Sequence, residues 1–144
     1  MIFEGNYQLN APREKVWEFV TNPDKIGKCL PDLKTLEVES EDNFYAVIRV
    51  GVGLIKADFK FKIQITGKEP PNRVQLKAIG TGSRSSINID LAIELKEISG
   101  GSELDYRSDV KISGMMVSLG QRVIKDTADK TIVSIFETIK KQLG

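Results

Sequence analysis

The sequence predicts an α+β fold in which a curved antiparallel sheet of about seven strands wraps around a long C-terminal helix. Two patterns predict it. From Leu36 to Ile112, apolar and polar residues alternate with the period of two that is typical of strands covered on one face. After Gly114 the apolar residues recur at helical spacing instead. A sheet that closes around one long helix is the helix-grip fold.

Two short helices are expected between the first strand and the rest of the sheet. Every second residue from Phe3 to Leu9 is apolar or glycine, which indicates a first strand. Pro12 suits the first turn of a helix whose apolar side includes Trp17. The segment from Asp24 to Cys29 can form one or two further helical turns before Pro31 favours an extended chain.

Turn-forming residues divide the alternating region into a meander. The candidate turns are Glu41-Asp42-Asn43, Pro70-Pro71-Asn72, Gly80-Thr81-Gly82 and Ser99-Gly100-Gly101-Ser102. Several of the strands between them are about a dozen residues long, against a usual length of about five or six. Strands of this length predict a large, twisted and strongly curved sheet.

The closing helix is expected to run from Gly114 to Leu143 and to fill the hollow of the sheet. At 1.5 Å per residue, such a helix would be roughly 45 Å long. A chain of 144 residues is long enough for one continuous core. We therefore expect residues 1–144 to form a single helix-grip ligand-binding domain.

The composition excludes several classes of function. The chain has no histidine and one cysteine, which argues against histidine-based catalysis and against a multi-cysteine metal site. Its net charge of +1 gives no overall field that would attract nucleic acid. The first residues lack the apolar core of a signal peptide, and no apolar run is long enough to span a bilayer. These features predict a cytoplasmic protein without a metal or cofactor.

Two segments carry a resemblance to a known family. They are FEGNYQLNAPREKVWEFVTNPDKIGKCLPDL near the start and GSELDYRSDVKISGMMVSLGQRVI before the last helix. Together they resemble the CoxG family of carbon monoxide dehydrogenase subunits, which is part of the START and Bet v 1-like superfamily that also includes polyketide cyclases. Nearly the whole chain is covered by this resemblance.

The resemblance implies a role beside a molybdenum hydroxylase of the carbon monoxide dehydrogenase type, in its assembly or its recruitment to the membrane. It also implies a hydrophobic cavity between the sheet and the long helix. Many members of the family continue past that helix into an apolar tail, whereas this chain ends at Gly144. We therefore expect at most peripheral contact with the inner face of the membrane.

The expected ligand is an apolar small molecule, either a lipid or a quinone-like compound, held without catalysis. The residues predicted to surround it are Trp17, Phe59, Phe61, Ile89, Leu91, Tyr106, Ser108, Met115, Met116, Leu119 and Val123. Trp17 and the two methionines can also be ordinary core residues. The hydroxyls of Tyr106 and Ser108, on the inward side of a strand, either bond locally or meet a polar group of the ligand.

Other residues that could carry chemistry have simpler interpretations. Cys29 is expected to be a packing residue at the corner between the short helices and the sheet, since it has no histidine to act as its base. The carboxylates of Asp90, Glu94, Asp105 and Asp109 fall on the polar side of their strands and should face water. Two rival functions remain open at this point: a cyclase-like or hydrolase-like enzyme using the same cavity, and a structural adaptor without a ligand.

Overall fold

The computed structural model describes residues 1–144 and contains seven strands and three α-helices in the predicted order. The elements are β1 (Ile2–Leu9), α1 (Arg13–Val20), α2 (Pro23–Gly27), β2 (Leu33–Val38), β3 (Asn43–Val52), β4 (Ile55–Glu69), β5 (Arg73–Gly82), β6 (Ser85–Ile98), β7 (Gly101–Gly114), a 3₁₀ helix (Met115–Leu119) and α3 (Gln121–Leu143). The two short helices after the first strand are confirmed.

All seven strands belong to one antiparallel sheet with the order β1-β7-β6-β5-β4-β3-β2. Consecutive strands from β2 to β7 are neighbours, so this part is the predicted meander, and β1 adds to it beside β7. Strands β4, β6 and β7 are 15, 14 and 14 residues long. The predicted helix-grip fold is confirmed.

The alternation along the strands separates the core from the solvent. In β4, the side chains of Phe59, Phe61, Ile63 and Ile65 are buried, whereas the lysines between them are exposed. The carboxylates of Asp90 and Glu94 are exposed on the outer face of β6, as predicted. One face of the sheet is therefore exposed to solvent, and the other packs against the helices.

The closing helix is shorter than predicted, because it does not begin at Gly114. Residues Met115–Leu119 form a 3₁₀ helix, and α3 begins at Gln121. Gly114 and Gly120, on either side of the 3₁₀ helix, have φ angles of 95° and 94°, which an α-helix cannot contain. The 23 residues of α3 give a helix of about 35 Å rather than 45 Å.

The predicted turn at Gly80-Thr81-Gly82 was also wrong, since all three residues lie in β5. The turn follows at Ser83 and Arg84, whose φ angles of 48° and 55° are those of a two-residue hairpin. Gly80 has a different reason to be glycine, because a Cβ there would overlap the ring of Phe61. A glycine that was interpreted as part of a turn is thus needed for close packing on an aromatic ring.

An aromatic stack holds the C-terminal half of α3 against the sheet. The rings of Tyr106 on β7 and Phe136 on α3 are nearly parallel, with centroids 4.1 Å apart, and Tyr7 on β1 lies 5.9 Å from Phe136. On its other side, Tyr106 packs directly on Gly5, because a Cβ at that position would overlap its ring. The stack therefore depends on the missing side chain of Gly5.

The other end of α3 is fixed through the 3₁₀ helix. The backbone N–H of Met116 donates a hydrogen bond of 2.9 Å to the hydroxyl of Ser85, and both residues are buried. The backbone of α3 approaches β1 and β3 and stands farther from the central strands β4, β5 and β6. An interior space therefore lies between the helix and the middle of the sheet.

The close contact between Gly5 and Tyr106 predicts that Gly5→Ala lowers the free energy of unfolding by about 1–3 kcal/mol, measured by urea denaturation. The ring cannot move away easily, since Phe136 stacks on it. Gly51→Ala is the matched control, because Gly51 also lies in a strand and a Cβ there would meet only Lys56 Cγ at 3.8 Å. Equal stability of the two variants would contradict this packing.

Candidate ligand-binding cavity

The space between α3 and the sheet is an apolar cavity of about 190 Å³. It is lined by 26 residues, of which 23 are hydrophobic. They come from the inward faces of β3 to β7, from α2 and the corner after it, from the 3₁₀ helix and from α3. The predicted cavity between sheet and helix is therefore present.

The volume limits what fits inside. A closed apolar cavity of about 150 Å³ in another protein is large enough to bind benzene. A cavity of about 190 Å³ thus holds one substituted ring or a short apolar chain. A long acyl or isoprenoid chain exceeds this volume, so only part of such a molecule fits inside the protein as it stands.

Five of the residues predicted to surround a ligand line this cavity. They are Phe61, Ile89, Leu91, Ser108 and Met116. Four lie on the inward faces of β4, β6 and β7, and Met116 approaches from the 3₁₀ helix. These side chains come together because the sheet curves around α3.

The other six predicted residues lie elsewhere: Trp17, Phe59, Tyr106, Met115, Leu119 and Val123. Phe59 is buried against Gly82, where a Cβ would lie only 3.0 Å from its ring. Tyr106 takes part in the stack with Phe136 and Gly5 instead of facing the cavity. Burial raises the pKa of the Tyr106 phenol, with a smaller contribution from Asp129, so this group stays neutral.

Trp17 and the predicted residues around the start of α3 do not line the cavity, for different reasons. Trp17 packs against the core from α1 without reaching the cavity. Because the helix starts at Gln121, Met115 and Val123 point outward and are 56% and 38% exposed, while Leu119 packs at the edge of the core. The adjacent residues Met116 and Ile124 line the cavity in their place.

Several cavity residues were not predicted as part of the site. Ile26 comes from α2 and Leu30 from the corner after it, and α3 contributes mainly through Ala128, Ile132 and Ile135. The helical residues follow the i, i+4, i+7 spacing of one face. That spacing could have identified them, once the start of α3 was known.

The cavity wall contains three polar residues: Ser108, Thr127 and Thr131. The Thr127 hydroxyl donates to the carbonyl of Val123 at 3.0 Å, and that of Thr131 donates to the carbonyl of Thr127 at 2.8 Å. Both threonine hydroxyls thus donate their protons to carbonyl oxygens of α3 and have none left for a ligand. The hydroxyl of Ser108 takes part in no side-chain hydrogen bond of the protein, and its residue is 2% exposed. It is not one of the two side-chain atoms that are fully enclosed without a partner, so it borders the open space of the cavity.

No charged side chain lines the cavity. The ion pairs lie on the outer surface, where Asp58 accepts hydrogen bonds from Lys34 at 2.8 Å and Arg49 at 3.3 Å. The bond from Lys34 is the main cause of the lowered pKa of Asp58.

No group of three or more histidine, cysteine, aspartate or glutamate side chains is arranged to hold a metal ion. The cavity can therefore provide a ligand with apolar contacts and the hydroxyl of Ser108, but with no side chain that acts as an acid or a base.

The family model of CoxG, a subunit of carbon monoxide dehydrogenase, matches residues 5–144. The chain belongs to this family. The match covers the first of the two segments from Gly5 onward and the second completely, and it extends through the strands and the helix that form the cavity.

Solved structures of other proteins share the fold of this CoxG chain. A conserved protein from Geobacillus kaustophilus is 26% identical, with a TM-score of 0.89 over 99% of this chain and 95% of that one. A START superfamily protein from Mycobacterium smegmatis (9% identical, TM-score 0.73, covering 99% and 96%) has the same fold. So does the Zhui aromatase/cyclase from Streptomyces sp. R1128 (11%, 0.71, 99% and 93%). A search of curated protein sequences found no significant match.

None of the helices in this CoxG protein is both long and apolar enough to cross a bilayer. The longest, α3, has charged residues along its outer side, including Lys125, Asp126 and Lys130, which are all exposed.

Cys29 lies in the corner between α2 and β2 and is 4% exposed. Its thiol donates a weak hydrogen bond of 3.4 Å to the carbonyl of Lys25. The next residue, Leu30, faces the cavity, but Cys29 does not. Its burial agrees with the predicted packing role.

Burial raises the pKa of the Cys29 thiol, which lowers the fraction of reactive thiolate at neutral and mildly alkaline pH. We expect a disulfide reagent such as dithionitrobenzoate to label the native protein at pH 8 at least about tenfold more slowly than the urea-unfolded protein. The unfolded chain serves as the internal control. Equal labelling rates in the two states would contradict a buried, unreactive thiol.

Proposed function

We propose that this CoxG protein is a non-enzymatic accessory protein that holds the ring or the short apolar end of a hydrophobic molecule between α3 and the sheet. A quinone-like compound fits this proposal best, because its ring matches the size of the cavity while its tail can remain outside. A lipid would insert only part of a chain. The ligand would contact Phe61, Ile89, Leu91, Ser108 and Met116, and the whole chain would act as one ligand-binding domain.

The observation that carries the proposal is the chemical uniformity of the cavity wall. Twenty-three of its 26 residues are hydrophobic, and none of the remaining three is titratable. A surface of this kind stabilises an apolar molecule by burial, at about 25 cal/mol per Å² of apolar surface removed from water. It offers no side chain to take up or release a proton.

The family relation supports the accessory part of the proposal. The chain would serve a molybdenum hydroxylase of the carbon monoxide dehydrogenase type, in its assembly or in its recruitment to the inner face of the membrane. Leu54 and Val117, which are 104% and 53% exposed, lie at the same end of the molecule as the exposed Met115 and Val123. These apolar side chains would favour peripheral contact with a lipid phase from which an apolar ligand is taken up.

An enzymatic role is the second candidate, because the Streptomyces protein of the same fold is an aromatase/cyclase. Such a reaction would have to proceed by positioning the substrate, since the cavity wall of this chain carries only hydroxyl groups as polar side chains. Turnover of an added polyketide-like substrate would favour this candidate over the carrier.

We expect duroquinone, a quinone without a tail, to bind the cavity and raise the melting temperature in proportion to the logarithm of its concentration. Ala78→Leu should weaken this binding about tenfold or more, because Ala78 lines the cavity and the larger side chain occupies the ligand's space. Isothermal calorimetry and thermal melts measure both effects.

Ala92→Leu is the matched control for Ala78→Leu. Ala92 lies on the neighbouring strand β6, opposite the exposed residues Gln75 and Arg107, so its side chain is on the outer face. Native mass spectrometry of the freshly purified protein provides a second measurement. Absence of a co-purifying apolar molecule together with no effect of duroquinone would argue for a structural adaptor without a ligand.

The accessory role predicts a phenotype that depends on the cavity. In the host, deletion of the gene should lower the activity of the molybdenum hydroxylase or its recovery with the membrane fraction. Wild type and Ala92→Leu should restore it, whereas Ala78→Leu should not. Full rescue by a stably folded Ala78→Leu protein would show that the accessory role does not require ligand binding in the cavity.

A further inference from the structure

Ser108 is the one buried serine of the core without a hydrogen-bond partner in the protein. Of the two other buried serines, Ser102 donates to the carbonyl of Ala11 at 2.6 Å, and Ser85 bonds both to Ser83 and to Met116. Ser108 is as buried as these, at 2% exposure, and its side chain lines the cavity. A hydroxyl that faces an apolar cavity without a hydrogen-bond partner is unfavourable, so this group requires an explanation.

The surroundings of Ser108 make a bound water a poor partner. A buried water normally needs about three hydrogen-bonding groups. The neighbours of Ser108 in the sheet are Leu91 on β6 and Phe3 on β1, and the remaining wall of the cavity is apolar apart from Thr127 and Thr131. The protons of both threonine hydroxyls are already donated to carbonyls of α3.

Ser108 is therefore the only side chain in the cavity wall with a free proton to donate. Its natural partner is an acceptor atom on the ligand. Because no charged side chain lines the cavity, an anionic acceptor such as a carboxylate would be buried without a counter-charge, which is strongly unfavourable. A neutral oxygen, as in a ketone or a quinone, avoids this cost.

We propose that the hydroxyl of Ser108 is the specificity-determining group of the cavity, and that it donates a hydrogen bond to a neutral carbonyl-type oxygen on an otherwise apolar ligand. This inference rests on the proposed carrier function and narrows it to a class of ligand. It disfavours free fatty acids, and it orients the ligand with its oxygen toward β7.

Three probes of similar size separate the possible outcomes: acetophenone, cumene, which lacks the carbonyl, and benzoate, which is charged at pH 7. Their affinities for the full chain are measured by calorimetry or by thermal shift. The wild type should bind acetophenone more tightly than cumene and should show no measurable binding of benzoate. Measurable benzoate binding would overturn the requirement for a neutral ligand.

The variant Ser108→Ala should lose about two- to tenfold in affinity for acetophenone while its affinity for cumene stays the same or rises. Thr131→Val is the matched control, since it removes a hydroxyl that also lines the cavity but is already bonded to Thr127. It should leave the preference for acetophenone over cumene unchanged.

The stability of the ligand-free protein provides a second readout. Ser108→Ala should raise the urea midpoint, because it removes an unpartnered buried hydroxyl, whereas a serine bonded within the core would give a lower midpoint. An unchanged preference for acetophenone in Ser108→Ala would overturn the role of Ser108 and leave the carrier function standing. Failure of both neutral probes to bind the wild type would overturn the carrier function itself.

Discussion

The interior of this protein depends on how α3 is attached to the sheet. Its C-terminal half is held by the stack of Phe136 on Tyr106, which is possible only because Gly5 has no side chain. Its N-terminal end follows a 3₁₀ helix that is bonded to Ser85. A helix held at both ends cannot sink into the middle of a strongly curved sheet, so a space remains between them.

That space is unfavourable when it is empty. The atoms that line an empty apolar space lose van der Waals contacts on the side that faces it. The unpartnered hydroxyl of Ser108 adds to the penalty. Under the proposed function, both terms would be relieved by the same event, the entry of an apolar molecule that carries one acceptor atom.

The family relation and the cavity wall constrain function in complementary ways. Members of the START-like fold include an aromatase/cyclase, so the fold alone does not decide between binding and catalysis. The wall of this cavity has no titratable group, and its volume suits a ring rather than a long chain. A carrier that takes up the ring of a quinone-like molecule is consistent with both findings and with membership of the CoxG family.

The sequence by itself determined the order of the elements and the two faces of the sheet, because alternation with a period of two is a local property. It also identified the family through two segments that each lie close together in the chain. It could not fix the start of α3, since that depends on the backbone conformation of Gly114 and Gly120.

Only the tertiary structure decided which inward residues meet the cavity. Phe59 and Phe61 are two residues apart on the same face of β4, yet only Phe61 reaches it. The same holds on β7, where the ring of Tyr106 is covered by Phe136, whereas the side chain of Ser108, two residues further on, lines the cavity. Alternation tells which face a side chain occupies, but the distance between that face and α3 is set by contacts between residues far apart in the chain.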